Sequence, residues 1–183
     1  MPTVIILSVL VFSGGLAAAV ASAPPPADDP KPLEVVPFVD LRRYLGKWYE
    51  IATIPQRFEK GCVGSTAEYA LRPDGDIDVI NTCRKGTLDG KVRTAHAKAW
   101  VVDRKTNAKL RVRFFWPFTG AYWIIGLDAD YRWAVVGHPS RNYLWILCRE
   151  PRMDDALYDE LLKMIAAKGY DEAKIKKTLQ PAG

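Results

Sequence analysis

Histidine and methionine are scarce in this chain, with two and three copies among 183 residues, and cysteine occurs three times. Neither His96 nor His138 has a partner at metal-ligand spacing: there is no H-x-x-x-H and no C-x-x-C. No metal and no cofactor is expected. Also missing are G-x-S-x-G, the phosphate-binding P-loop and the glycine-rich dinucleotide fingerprint, which removes the commonest hydrolase, nucleotidase and dehydrogenase signatures. Charge of one sign never accumulates in a run. The net charge is +5 and the pI about 9.1, with Lys and Arg scattered along the chain. The surface therefore reads as soluble with a modest positive bias, and weak attraction to anionic lipid stays open. Internal repeats are absent.

Aromatic residues are abundant by contrast: six Trp, eight Tyr and six Phe. Hydrophobic residues make up 49%, enough for the core of one ordinary domain. Residues 1–23 carry an apolar run ending in small residues, "VIILSVLVFSGGLAAAVASA", which reads as a secretory signal cut after Ala21 or Ala23. No Lys or Arg precedes the run, so an uncleaved membrane anchor is the competing interpretation. The proline-rich stretch 24–37 reads as an extended tether, leaving 38–183 as the folded domain.

From residue 38 onward the pattern is short strands and tight turns. Strands are expected at 47–54, 66–71, 76–83, 92–103, 109–116, 121–128, 131–137 and 143–149, with a longer loop over 55–65. "RPDG" before the third strand is a hairpin signal, because Pro presets one turn dihedral and Gly takes the positive one. Eight strands in sequence with no helix between them predict an all-β, up-and-down antiparallel barrel or a sandwich. One helix follows. Asp154 caps it, Leu157, Leu161, Leu162 and Ile165 recur at helical spacing, and Gly169 stops it. Its apolar stripe must pack on the outer wall.

Alternation assigns faces. Leu110, Val112, Phe114 and Trp116 share one face of the fifth strand, opposite Arg111 and Arg113. Tyr143, Trp145, Leu147 and Arg149 share a face of the eighth. Leu110, Val112, Phe114, Trp116, Tyr143 and Trp145 are therefore the candidate ligand-lining residues, with Trp123 and Trp133 added although their strands alternate less cleanly. The same separation of aromatic from basic faces argues against nucleic acid. An eight-stranded barrel holds either its own side chains or one small ligand. Glu50 and Glu68 would form an acid pair only if both faced inward, and alternation with Tyr69 turns Glu68 to solvent.

Three further pieces carry a resemblance. Gly46-x-Trp48 opens the first strand, Asp130-Tyr131 lies between the sixth and seventh, and Arg149 ends the eighth just before the helix. In this order, with eight strands and a C-terminal helix, the chain over about 38–180 resembles the lipocalins. Segments such as "LGKWYEIATIPQRFEKG" are similar to bacterial lipocalins of the outer-membrane lipoprotein type and to apolipoprotein D. The resemblance implies a closed barrel in which the tryptophan plugs one end and the arginine lies across its ring. It also implies a small apolar ligand, such as a lysophospholipid or fatty acid, for lipid storage or transport in the cell envelope. Partners of the chain would be that ligand, a peripheral contact with the envelope membrane, and either no second copy or one. Bacterial lipocalins are often anchored through an N-terminal Cys. The first Cys here is Cys62, so a soluble periplasmic or secreted form is implied, with outer-membrane association left open.

In an exported chain two of three cysteines should pair. The hairpin around Asp74-Gly75 pairs residues whose numbers sum to about 149, which sets Cys83 opposite Thr66 and within reach of Cys62. Cys62–Cys83 is the favoured bridge. Cys148 is then free and faces away from the interior. A thiol-dependent isomerase on the same barrel is the alternative function; it needs an inward, unpaired Cys. Arg57 and Lys60 are candidate contacts for a phosphate head group, on a rim formed by 55–65 and 117–120.

Overall fold

The computed structural model describes residues 31–182. The expected signal segment and the first part of the tether lie outside them. Eight antiparallel strands form the closed barrel: β1 (Gly46–Thr53), β2 (Cys62–Leu71), β3 (Ile77–Lys85), β4 (Val92–Val101), β5 (Lys109–Phe115), β6 (Phe118–Leu127), β7 (Trp133–Gly137) and β8 (Leu144–Cys148). Each strand pairs with the next, and β1 pairs with both β8 and β2, which closes the ring. A short helix α1 (Leu41–Tyr44) precedes β1, and the main helix α2 (Asp155–Ala167) follows β8. Among the described residues no helix is long and apolar enough to cross a membrane.

Period-two alternation divides the wall into two cores. The inner cluster holds Trp48, Tyr69, Ile77, Val79, Leu110, Ile124, Ala134, Val136 and Leu147. The outer cluster holds Ile51, Ile125, Val135, Ile146 and Cys148 from the sheet, against Tyr158, Leu161 and Ile165 of α2. Neighbouring residues thus alternate between cores, as Val135 and Val136 do, because successive side chains point to opposite faces. Asp154 caps α2 by accepting from the amides of Ala156 (2.9 Å) and Leu157 (3.2 Å), which stabilises such a helix by about 1 kcal/mol. Its far end closes through Gly169 at φ +84, with the Tyr170 amide bonded to the Ile165 carbonyl (3.3 Å) and both side chains buried together. The stripe is centred on Tyr158, Leu161 and Ile165, with Leu157 and Leu162 half-buried at its edges.

Three expectations need correction. Residues 31–37 do not hang as a tether throughout. Leu33 is buried in the outer cluster, Val35 and Val36 pack beside the cores, and the Val36 amide donates to the Ile124 carbonyl (3.0 Å). Apolar Leu33, Val35 and Val36 outweigh the proline signal there. Second, β2 begins at Cys62 rather than at 66, because a bulge between Val63 and Thr66 lets the ladder continue. Third, the β2–β3 register is Leu71↔Ile77 and Thr66↔Thr82, one residue away from the expected sum, because the reversal uses all of residues 72–76.

A two-residue strand β9 (Lys176–Lys177) follows α2 and pairs with β1. The tail beyond it fills the seam where β2 parts from β1. The Gly64 amide donates to the Leu179 carbonyl (2.7 Å), and the Gln180 side-chain amide donates to the carbonyls of Glu50 and Ser65 (2.8 Å each). The eight strands, α2 and the two clusters described above are formed by residues within 31–182.

Candidate functional site: the barrel interior and its mouth

The closed end is built around Trp48, which has no exposed surface. Its indole N–H donates to the Tyr44 carbonyl (2.8 Å). The Arg149 guanidinium lies 3.7 Å from the ring centroid and donates to the carbonyls of Lys47 (2.8 Å), Arg43 (2.7 Å) and Tyr131 (3.3 Å). Gly46 sits at φ +88, with the guanidinium 3.5 Å from where a Cβ would stand. Tyr131, also at positive φ, accepts the Asp40 amide on its hydroxyl (2.8 Å), while Asp130 stays on the exposed turn. The five signature residues therefore meet at one end, and none of them opens into the interior mouth.

Above this plug the hydroxyls of Tyr44 and Tyr69 each meet the Tyr122 hydroxyl at 2.8 Å. Burial pushes the Tyr69 phenol up to about 12 and raises the other two as well, so the three stay neutral. Further along, the inner face of β2, β3 and β4 carries small or polar side chains in register. Ala67 stands opposite Asn81, and Asn81 opposite Ala95; Val79 stands opposite Ala97. Ala95 faces inward yet is exposed, and the Asn81 amide oxygen is buried without a partner.

The mouth is at the end where β1 runs into β2, β3 into β4, β5 into β6 and β7 into β8. Glu59, on the short 3-10 turn Arg57–Glu59, reaches inward and accepts the Trp145 indole N–H (3.2 Å), while its second oxygen is buried without a partner. Glu50 on β1 bonds the Thr178 hydroxyl. Burial pushes the Glu50 carboxyl up to about 7, helped by the charge of Glu59, and burial raises Glu59 too. The acid pair is thus Glu50 with Glu59. Glu68 is exposed. Arg57 and Lys60 are exposed on the same connection.

The eight expected lining residues separate into groups. Leu110 is buried in the inner cluster, and Val112 and Trp145 pack against it. Phe114 is part-exposed toward the mouth, and Tyr143 stacks on Trp145 at 6.4 Å between centroids. Trp116 is not in the interior: a bulge between Val112 and Phe115 ends the alternation, and the indole is 81% exposed. Trp123 and Trp133 are on the outer wall, packed with the α2 cluster. Alternation in β6 breaks at a bulge between Ile124 and Gly126, and Trp133 stands opposite outward-facing Cys148. Glu59 and Asn81 were missed. Glu59 lies in a connection, where alternation gives no direction.

Cys62 and Cys83 form the expected disulfide, with Cα atoms 5.4 Å apart. Cys148 is free and buried in the outer cluster, its thiol raised by burial. His96 is exposed, and His138 bonds Ser140 in its turn (2.8 Å). Among the described residues no cluster of His, Cys, Asp and Glu could hold a metal.

A closed eight-stranded barrel, a plug of tryptophan under arginine and a helix on the wall define a lipocalin. The lipocalin-like domain model matches residues 39–180, and the chain belongs to that family. It is 43% identical over 162 residues to the outer membrane lipoprotein Blc of Escherichia coli K12, covering 87% of this chain and 88% of that one. It is 33% identical over 150 residues to apolipoprotein D of Bos taurus, covering 77% of each. The solved structure of insecticyanin from the tobacco hornworm Manduca sexta shares the fold, with a TM-score of 0.64 at 18% identity over 80% of this chain and 83% of that one.

Proposed function

We propose that the barrel carries an amphiphile with one acyl chain, a lysophospholipid or a fatty acid, for lipid storage or transport in the cell envelope. Membership of the lipocalins supports binding of a small hydrophobic ligand in general. The observation that carries the finer proposal is the small inner wall of Ala67, Ala95 and Ala97, with Ala95 facing inward and still exposed. Ala95 lies where β4 has parted from β5, whose pairing starts at Lys98↔Arg113, so this wall borders the mouth, and alanines there leave width that large side chains would take up. An acyl chain laid along this wall gains about 0.8 kcal/mol per buried methylene. Leu110, Val112, Phe114, Tyr143 and Trp145 would line its path. Arg57 and Lys60 would meet a phosphate at the rim, and the inward acid pair Glu50 and Glu59 would keep an anionic head there.

The same reading places the protein outside the cytoplasm, periplasmic or secreted, with residues 1–23 as the export signal. The Cys62–Cys83 bridge supports this, since such bonds persist in oxidising compartments. It is a carrier rather than an enzyme: among the described residues the free thiol, Cys148, is on the outer wall, which disfavours the isomerase alternative.

The test is extraction. Residues 31–183 are purified, treated with organic solvent, and the extract identified by mass spectrometry. Lysophospholipid is then titrated against tryptophan emission. Co-purified lipid and saturable quenching that Trp145→Phe loses are expected. An empty extract with no emission change for any lipid class would end the carrier reading.

A further inference from the structure

We infer that the β5–β6 hairpin is a membrane-docking tip that seats the barrel mouth on an anionic lipid surface. The tip reads Phe114-Phe115-Trp116-Pro117-Phe118. Phe115 and Phe118 face each other across it, ring centroids 5.8 Å apart, and are each 69% exposed, with Trp116 at 81%. Phe58, on the β1–β2 connection at the same end, is 60% exposed. Isolated exposed apolar residues are ordinary. Four large aromatics at one end of a domain, three of them within four residues on one hairpin turn, form a patch with a purpose. Aromatic rings of this kind settle at the boundary between head groups and acyl chains.

Charge selects the occupant. Arg57, Lys60, Lys85, Lys91 and Arg93 are all exposed around the same mouth. On the connections there Asp89 is exposed, while Glu59 is turned inside against Trp145. At the opposite end Asp74, Asp76, Asp103, Asp128 and Asp130 lie on the connections, interleaved with Arg72, Arg104, Lys105 and Arg132, so the two signs nearly cancel there. An anionic surface therefore attracts the mouth more strongly than the plug, and turns the barrel before contact. A protein partner would need a complementary shape that an aromatic tip on a protruding hairpin does not offer; a bilayer needs none. The inference rests on the carrier reading, since the docked rim is the rim of that cavity and lipid would pass between bilayer and barrel without crossing water.

The experiment uses residues 31–183, which omit the apolar N-terminal run that would itself seek lipid. Sedimentation is measured with phosphatidylcholine vesicles, with and without phosphatidylglycerol. Emission is recorded alongside, with and without brominated acyl chains. Wild type should sediment with the anionic vesicles, shift its emission to the blue and be quenched. The variant Phe115→Ser/Trp116→Ser/Phe118→Ser should lose roughly tenfold in vesicle affinity. Lys60→Glu/Lys91→Glu should weaken binding to anionic vesicles and reduce its salt dependence. Wild type that stays in solution, equal binding by the triple variant, or equal binding to neutral vesicles overturns the inference. So does a wild-type dimer that the triple variant loses without any vesicle binding, because a second copy is then the occupant. Titration of monomeric lysophospholipid into both proteins separates the two readings. If neither binds it, the carrier role fails. If both bind it and vesicle affinity is unchanged, the tip alone fails.

Discussion

The guanidinium of Arg149 covers the indole of Trp48 at 3.7 Å and ties three carbonyls from two different segments of the closed end. The ring contact contributes about 0.5–2 kcal/mol, and charged hydrogen bonds add to it. Arg149→Met should therefore lower stability by about 2–4 kcal/mol in urea titration. Affinity for the proposed ligand, measured where the variant remains folded, should change little, because the plug is at the end opposite the mouth. Equal loss of both would place Arg149 in the binding path.

The Glu50–Glu59 pair should make stability fall with rising pH. Unfolded, both carboxyls ionise near pH ~4.3. Folded, Glu50 holds its proton up to about 7, and Glu59 is raised in the same direction. Between those values the native state binds more protons, so stability is highest near the unfolded pKa and declines through the folded one. Glu50→Gln should flatten that decline and gain on the order of 2 kcal/mol near pH ~8. His138, lowered by burial, acts in the opposite sense, so the wild-type-minus-variant difference is the quantity to measure.

Gly137 has no room for a side chain. A Cβ there would stand 3.0 Å from the end of Ile125 and would overlap the Tyr170 hydroxyl, which is fixed by bonds to the amide (2.9 Å) and carbonyl (3.0 Å) of His138. Gly137→Ala should cost about 1–3 kcal/mol and lower the melting temperature by several degrees. Tyr170→Phe/Gly137→Ala should recover part of that loss if the hydroxyl is the obstacle.

Thiol counting should report the wall. Native protein should react slowly with a thiol reagent at neutral pH, because Cys148 is buried and its thiol raised. Denatured protein should show one reactive thiol, and denatured, reduced protein all three. A fast native reaction would mean that α2 opens from the sheet.

The barrel was legible because its signals are periodic or local. Alternation in β5 placed Leu110 and Val112 inside, and in β8 it placed Trp145 inside and Cys148 outside. The same rule failed wherever a bulge added a residue. After the bulge in β5 it put Trp116 on the wrong face, because period-two counting has no memory of an extra residue. Trp123 comes just before the bulge of β6, where consecutive Ile124 and Ile125 are buried in different cores, so apolar residues on both faces hide the phase. Trp133 was misassigned for a different reason: a five-residue strand gives too few alternations to fix its phase. Glu59 was beyond any pattern, since its direction is set by a bond to Trp145, 86 positions away.

The tail that fills the seam also acts as a latch. Thr178 bonds the Ile51 carbonyl through its amide, Leu179 receives the Gly64 amide, and Gln180 bridges Glu50 and Ser65. Direct pairing of β1 with β2 stops at Tyr49 and Thr66, so these bonds carry the wall on past that point. Lifting the tail would strip all of these backbone groups of their partners together, and the wall there would loosen as one unit rather than bond by bond.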